Sequence, residues 1–107
     1  MQLTSFVTLT IAIATAKAAT VSFYTARNCN SASWVQQNVG CNTCVDPPGD
    51  WWAASVSGIS GDQRVSMHNQ NSCTSASSVG QWYGNICAAA GNTALRSVWV
   101  ACSGQRA

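Results

Sequence analysis

VSFYTARNCNSAS stands at residues 21–33 and VSMHNQNSCTSAS at residues 65–77. At a fixed offset of 44, Val21 matches Val65, Ser22 matches Ser66, Cys29 matches Cys73, and Ser31-Ala32-Ser33 matches Ser75-Ala76-Ser77. Further on, Gly40 falls on Gly84, Cys44 lies one place from Cys87, and Ala54-Ser55-Val56 corresponds to Arg96-Ser97-Val98 after a two-residue shift. The chain therefore reads as two copies of one unit. One copy alone cannot bury its apolar face, so the pair is expected to form a single domain.

Each copy opens with a β-branched or aromatic run, passes through an Asn/Ser-rich turn and ends in an apolar run such as SVWVAC at residues 97–102. No segment has a helical period. Asp46-Pro47-Pro48-Gly49-Asp50 is a turn by composition, and Gly58-Ile59-Ser60-Gly61-Asp62 joins the copies. Short strands with turn signals, repeated once, predict an all-β sandwich of two Greek keys, the first at residues 19–60 and the second at 61–107.

The opening MQLTSFVTLTIAIATAKAAT differs from everything after it. Its apolar and small residues from Phe6 to Ala16, followed by Ala16-Lys17-Ala18, read as a secretory signal peptide over residues 1–18, cut after Ala18. The segment before the apolar run carries no Lys or Arg, so its positive charge would be the amino terminus alone. That run falls short of the ~20 apolar residues needed to span a bilayer, and no later stretch comes closer, so the protein is not expected to span a membrane.

Removing 18 of 107 residues leaves 89. At that size a hydrophobic core alone supplies only ~3–5 kcal/mol, so further staples are expected. Cys29, Cys41, Cys44, Cys73, Cys87 and Cys102 all lie in the mature part, and an even count behind a leader predicts three disulfides. If the duplication is symmetrical, Cys29 pairs with Cys44 and Cys73 with Cys87, leaving Cys41 for Cys102; this is one of fifteen pairings. Cys41-Asn42-Thr43-Cys44 has redox or zinc spacing, but a secreted chain with no second such pair favours disulfides.

Without Lys17, the charges are Arg27, Arg64, Arg96 and Arg106 against Asp46, Asp50 and Asp62, with no glutamate or lysine. Solubility must come from Ser, Asn, Gln and Thr. Such a balance argues against nucleic acid as a partner and against a polybasic membrane patch. No Asn-x-Ser/Thr sequon occurs. Catalysis would have to use Asp46, Asp50, Asp62 or the single histidine, His68, which occupies the place of Tyr24 and is expected to be structural. The protein is accordingly read as non-enzymatic.

Tryptophan is the least routine part of the composition. Trp51 and Trp52 are adjacent, and neighbours on a strand face opposite ways, so at most one can enter the core. Trp82-Tyr83 poses the same choice and could join Trp34 in an aromatic strip. Trp51, Trp52, Trp82 and Tyr83 are the candidate binding residues, stacking on a sugar or anchoring a protein interface.

Val21-Ser-Phe-Tyr24, Cys29-Asn-Ser31 and Ser55-Val56-Ser57-Gly58 together resemble one βγ-crystallin Greek-key motif. Val65-Ser-Met-His68, Cys73-Thr-Ser75 and the stretch from Asn92 to Val100 resemble a second, so the likeness spans the mature chain. Both copies depart alike: Cys29 and Cys73 replace an aromatic, and Ser31 and Ser75 replace a glycine, as in a cysteine-rich secreted branch.

The resemblance implies calcium positions at Asp50 to Ser55 and Asn92 to Ser97. There Ala54 and Arg96 remove the hydroxyl oxygen, and an ion needing ~6–8 oxygens is expected to bind weakly or not at all. No other cofactor is expected. Secreted members of the family include killer toxins, antifungal proteins that bind cell-wall polymer, and a metalloprotease inhibitor. The expectation is a toxin-like or effector-like binder of a cell-wall polysaccharide or an extracellular or host protein. One alternative is a protease inhibitor presenting the loop from Cys44 to Gly49; another is a carbohydrate-binding module without toxicity.

Overall fold

Alternation of core-facing and outward residues begins as soon as the described part of the chain does. The computed structural model describes residues 18–103, so the expected leader lies, apart from Ala18, outside the described residues. Eight strands follow in order: β1 (Ala19–Tyr24), β2 (Trp34–Val39), β3 (Thr43–Val45), β4 (Ala53–Ser57), β5 (Arg64–His68), β6 (Ser78–Tyr83), β7 (Ile86–Ala89) and β8 (Ser97–Val100). The helical content among the described residues is two single 3-10 turns, Asn71–Cys73 and Ser75–Ser77. The protein is all-β, as expected.

The strands form two four-stranded antiparallel sheets, ordered β2-β1-β4-β7 and β3-β8-β5-β6. Pairing repeats between them. Phe23 faces Ala54 in the first sheet and Met67 faces Val98 in the second, so both partners move by 44 residues. The offset of 44 thus holds again in the last strand of each copy, after a one-place slip in β3 and β7 at Cys44 and Cys87, and the two-residue shift expected at Ala54 is corrected: Ala54 matches Val98, not Arg96. Backbone register decides this where side-chain similarity misled.

Each copy keeps three strands in its own sheet and gives the fourth away. β3 of the first copy pairs with β8, and β7 of the second pairs with β4. The copies meet at Trp51 and Leu95, themselves 44 apart, which exchange reciprocal backbone N–H···O bonds of 2.9 and 2.7 Å. A local two-fold axis therefore passes between them.

Val21, Phe23 and Val56 from one sheet and Val65, Met67, Val98 and Val100 from the other are buried in one common core, with Leu95 and Ile59. Each such side chain contributes about 1.5–3 kcal/mol of transfer free energy. The joint between the copies is tied down rather than slack. Gln63, 4% exposed, accepts from the Ser60 N–H and donates to the Ala101 carbonyl, while Ile59 enters the core.

Three disulfides are present: Cys29–Cys87, Cys41–Cys102 and Cys44–Cys73. The Cys41–Cys102 pairing is as expected; the other two are corrected. Donation of β3 and β7 carries Cys44 and Cys87 into the opposite sheet, away from Cys29 and Cys73 of their own copies. The symmetry survives, because the two-fold exchanges Cys29–Cys87 with Cys73–Cys44, but it acts between copies instead of within them.

Candidate functional site

On β5, Val65 and Met67 point into the core, so Arg64, Ser66 and His68 point out. Register completes this outer face: Ser66 lies between Trp99 of β8 and Gln81 of β6, and Arg64 lies opposite Tyr83. Trp99 reaches the face because Val98 and Val100 on either side of it are buried. Cys44, also paired with Trp99, bonds Cys73 and pulls the segment after β5 across the sheet.

That segment forms a built wall. Ser72 and Cys73 adopt left-handed backbone, with φ of 67° and 49°. Such conformations cost about 1–3 kcal/mol each in non-glycine residues and persist only where neighbours enforce them. The Asp46 carboxylate accepts from Asn71 Nδ2 at 2.7 Å and from the Ser72 N–H at 3.0 Å. Ser97 Oγ, wholly buried, accepts from the Cys73 N–H and donates to the Gln70 carbonyl.

Between wall and sheet is a concavity of about 270 Å³, lined by Trp99, Arg64, Gln81, His68 and serines 66, 75 and 78. Its lining contains no carboxylate. His68, 3% exposed, is held through Nδ1, 2.9 Å from the Thr74 carbonyl and 3.1 Å from Ser77 Oγ. Burial pushes its pKa below the ordinary 6.5, outweighing the opposite effect of the Thr74 bond. His68 Nε2 and Arg64 Nε are shut from solvent and have no partner in the protein. Leaving such groups unpaired costs about 1–3 kcal/mol each.

The four aromatics singled out from the sequence are not gathered into one surface. Trp51 packs on Phe23 with centroids 5.7 Å apart, and its buried Nε1 has no partner. Trp52 carries the Arg27 guanidinium 4.6 Å over its ring, and Arg27 also donates to the carbonyls of Ala90 and Gly91. Trp82 lies across from core residue Val65 and covers Gly80, whereas Tyr83 is 40% exposed beside Arg64. Trp34 packs edge-on against Phe23 from the edge strand of the other sheet, so it forms no strip with Trp82-Tyr83.

Trp52 borders a second concavity, about 340 Å³, with Asp50, Arg96, Asn69, Asn92 and Thr93. Here Arg96 Nε donates to Asp50 Oδ1 at 2.7 Å, bringing together the two stretches implied as calcium positions. Among the described residues no three His, Cys, Asp or Glu side chains gather as a metal site. Cys41 and Cys44 go to different partners, which removes the redox or zinc reading of that pair. In the proline loop, Val45 and Pro47 are buried while Pro48 and Gly49 are exposed.

Trp99 and Arg64 were not singled out from the sequence, although strict alternation in SVWVAC places Trp99 opposite to its two valines. No protein-family model matches the chain, and comparison with curated proteins and with solved structures gives no match either.

Proposed function

We propose that this chain is a secreted, non-enzymatic binding protein of βγ-crystallin-like, two-Greek-key type that attaches to a cell-wall polysaccharide through the outer face of its second sheet. The observation that carries the reading is the concavity in which the half-buried Trp99 ring stands among Arg64, Gln81 and three serines with no carboxylate. An indole offers an apolar face to the C–H side of a sugar, and amide, hydroxyl and guanidinium groups serve its oxygens.

Support for the architecture comes from the strand order: β2-β1-β4 with β3 in the opposite sheet is compatible with a Greek key divided between two sheets, and β6-β5-β8 with β7 has the same arrangement. Support for secretion comes from the leader-like residues 1–18 and from three disulfides, which persist in oxidising compartments. The inhibitor reading loses ground because Pro47 and Val45 anchor the proline loop in the body of the protein.

The test is co-sedimentation of oxidised residues 19–107 with insoluble chitin, β-glucan and cellulose. Trp99→Ala is compared with Trp52→Ala, each verified as folded by its circular dichroism. Binding to one polymer, weakened at least tenfold by Trp99→Ala and little changed by Trp52→Ala, is expected. A folded Trp99→Ala protein that binds as well as the original would remove the proposed site.

A further inference from the structure

The two-fold relation lets each copy serve as a reference for the other. In the first copy two rings pack on Phe23: Trp34, opposite it on β2, meets it edge-on with centroids 5.8 Å apart, and Trp51 lies 5.7 Å away. The Trp51 ring extends to the turn after β3, 3.8 Å from where a Cβ on Gly49 would stand, and Pro47 of that turn is buried. Rings thus occupy the space between β1 and the turn.

The second copy repeats the strands with smaller side chains. Met67 takes the place of Phe23, Leu95 that of Trp51, and Gly80 stands opposite Met67 where Trp34 stands opposite Phe23. Ala90 follows Cys87 at the distance at which Pro47 follows Cys44. Trp82 leans over Gly80 and makes up part of the difference. What is left is a cavity of about 430 Å³ between β6 and β7, edge strands of the two sheets. Met67 and Leu95, 0% and 2% exposed, lie at its floor, and Val79 and Ala89 stand exposed at its mouth. Sites for small molecules span about 300–1,000 Å³.

The lining also decides what kind of guest fits. It is apolar except for the turn at residues 91–93, where Asn92 and Thr93 are exposed to solvent, and it includes no charged or titratable side chain. Charges on neighbouring segments are already engaged: Arg27 donates to the carbonyls of Ala90 and Gly91 over the Trp52 ring, and Arg96 pairs with Asp50. A carboxylate, phosphate or ammonium entering here would give up water without gaining an ion. Water needs roughly 2–4 polar partners at each place it occupies, and the apolar floor offers none.

We propose that this cavity binds a small uncharged lipophile, an apolar body against Met67, Leu95 and Trp82 with a single hydroxyl or carbonyl head at Asn92 and Thr93. The site goes beyond the polysaccharide reading and does not rest on it. Met67 and Trp82 lie on the core side of β5 and β6, whereas Ser66 and Gln81 lie on the outer face that carries Trp99.

The test titrates oxidised residues 19–107 into N-phenyl-1-naphthylamine, an uncharged reporter that brightens in apolar surroundings, and displaces it with 1-decanol, decanoate or decylammonium at neutral pH. Expected are one saturable site per chain and displacement by decanol at least tenfold more effective than by either ion. Leu95→Trp, which gives the second copy the ring that Trp51 gives the first, should lower reporter affinity at least tenfold. Ala89→Phe narrows the exposed mouth from outside the core and should do the same, so a Leu95→Trp chain that fails to fold leaves the test intact. Val35→Ala, on the far edge strand β2, should change nothing.

A folded Leu95→Trp or Ala89→Phe protein that holds the reporter as tightly as the original would overturn the inference, as would an original without saturable binding. Stronger displacement by decanoate or decylammonium would overturn the assignment of an uncharged guest. Each of these results leaves the polysaccharide reading standing, because that reading is decided by Trp99 on the other side of the sheet.

Discussion

Gly80 shows how far a single residue can be committed by a neighbour. A Cβ built there would stand 2.4 Å from the Trp82 ring, which itself packs against the core. Gly80→Ala must push that ring aside, and overpacking of this sort costs about 1–3 kcal/mol. Gly91→Ala, where an added Cβ meets nothing within 4 Å, is the control. Urea titrations followed by tryptophan fluorescence should place the Gly80 variant alone below the original; equal midpoints would show that Trp82 moves freely. His68 carries a second consequence at this scale. Burial holds its folded pKa below 6.5, so as pH falls the unfolded chain binds the proton first. The stabilisation is complete above about pH 6.5 and is lost progressively as pH falls from there towards the lowered folded value. Melting temperatures measured from pH 8 down to pH 5 should decline in the lower part of that range. A flat profile would mean that His68 is as well solvated folded as unfolded.

At the scale of elements, the edges and the staples behave differently. β2 and β6 are edge strands without a charged residue, and they expose Val35 and Val79, equivalent positions of the two copies, at 49% and 48%. Uncharged edges with exposed β-branched residues invite pairing with another chain. Val35→Lys/Val79→Lys should leave stability within about 0.5 kcal/mol while lowering aggregation on heating, as read by light scattering. Unaltered scattering would place the aggregating surface elsewhere. The staples close loops with sequence separations of 58, 61 and 29 residues. Replacing Cys44 and Cys73 together by Ser should cost about 3–4 kcal/mol by the loop-entropy estimate, and peptide mapping of the oxidised protein should recover Cys44 with Cys73. What was readable in the sequence divides along the same line. The duplicated stretches at 21–33 and 65–77 declare β1 and β5, because strand alternation and the Ser-Ala-Ser turn are local signals. Sheet membership of β3 and β7 is a long-range fact with no local mark, and two disulfides were misassigned with it. Among the candidate aromatics, Trp82-Tyr83 was legible as a pair with one member facing outward, and the structure turns Tyr83 out. Trp99 was not singled out, although period-two alternation turns it away from the buried Val98 and Val100 that flank it.

For the whole molecule, exchange of strands makes the two copies one folding unit. Each sheet borrows a strand from the other copy, all three disulfides join a residue before 60 to one after 70, and Trp51 and Leu95 bond across the two-fold. A peptide of residues 19–60 would lose the strand that β4 pairs with in β7, and its own β3 would have no sheet to join. Its apolar face, Val21, Phe23 and Val56, would then lie against water, forfeiting about 25 cal/mol for each Å² exposed, in a unit already near the size where cores fail. Residues 19–60 and 61–107 prepared separately are thus expected to give disordered circular dichroism spectra. Mixed under oxidising conditions, they should recover strand structure as a covalent pair that migrates as one species until reduced. A folded isolated half would mean that a copy is a domain in its own right, and the duplication would then describe two linked modules instead of one closed structure. The site follows the same logic, since Cys44 from the first copy bonds Cys73 to hold the wall over a face built from β5, β6 and β8 of the second. Ligand binding should therefore be absent from either half and return with the covalent pair.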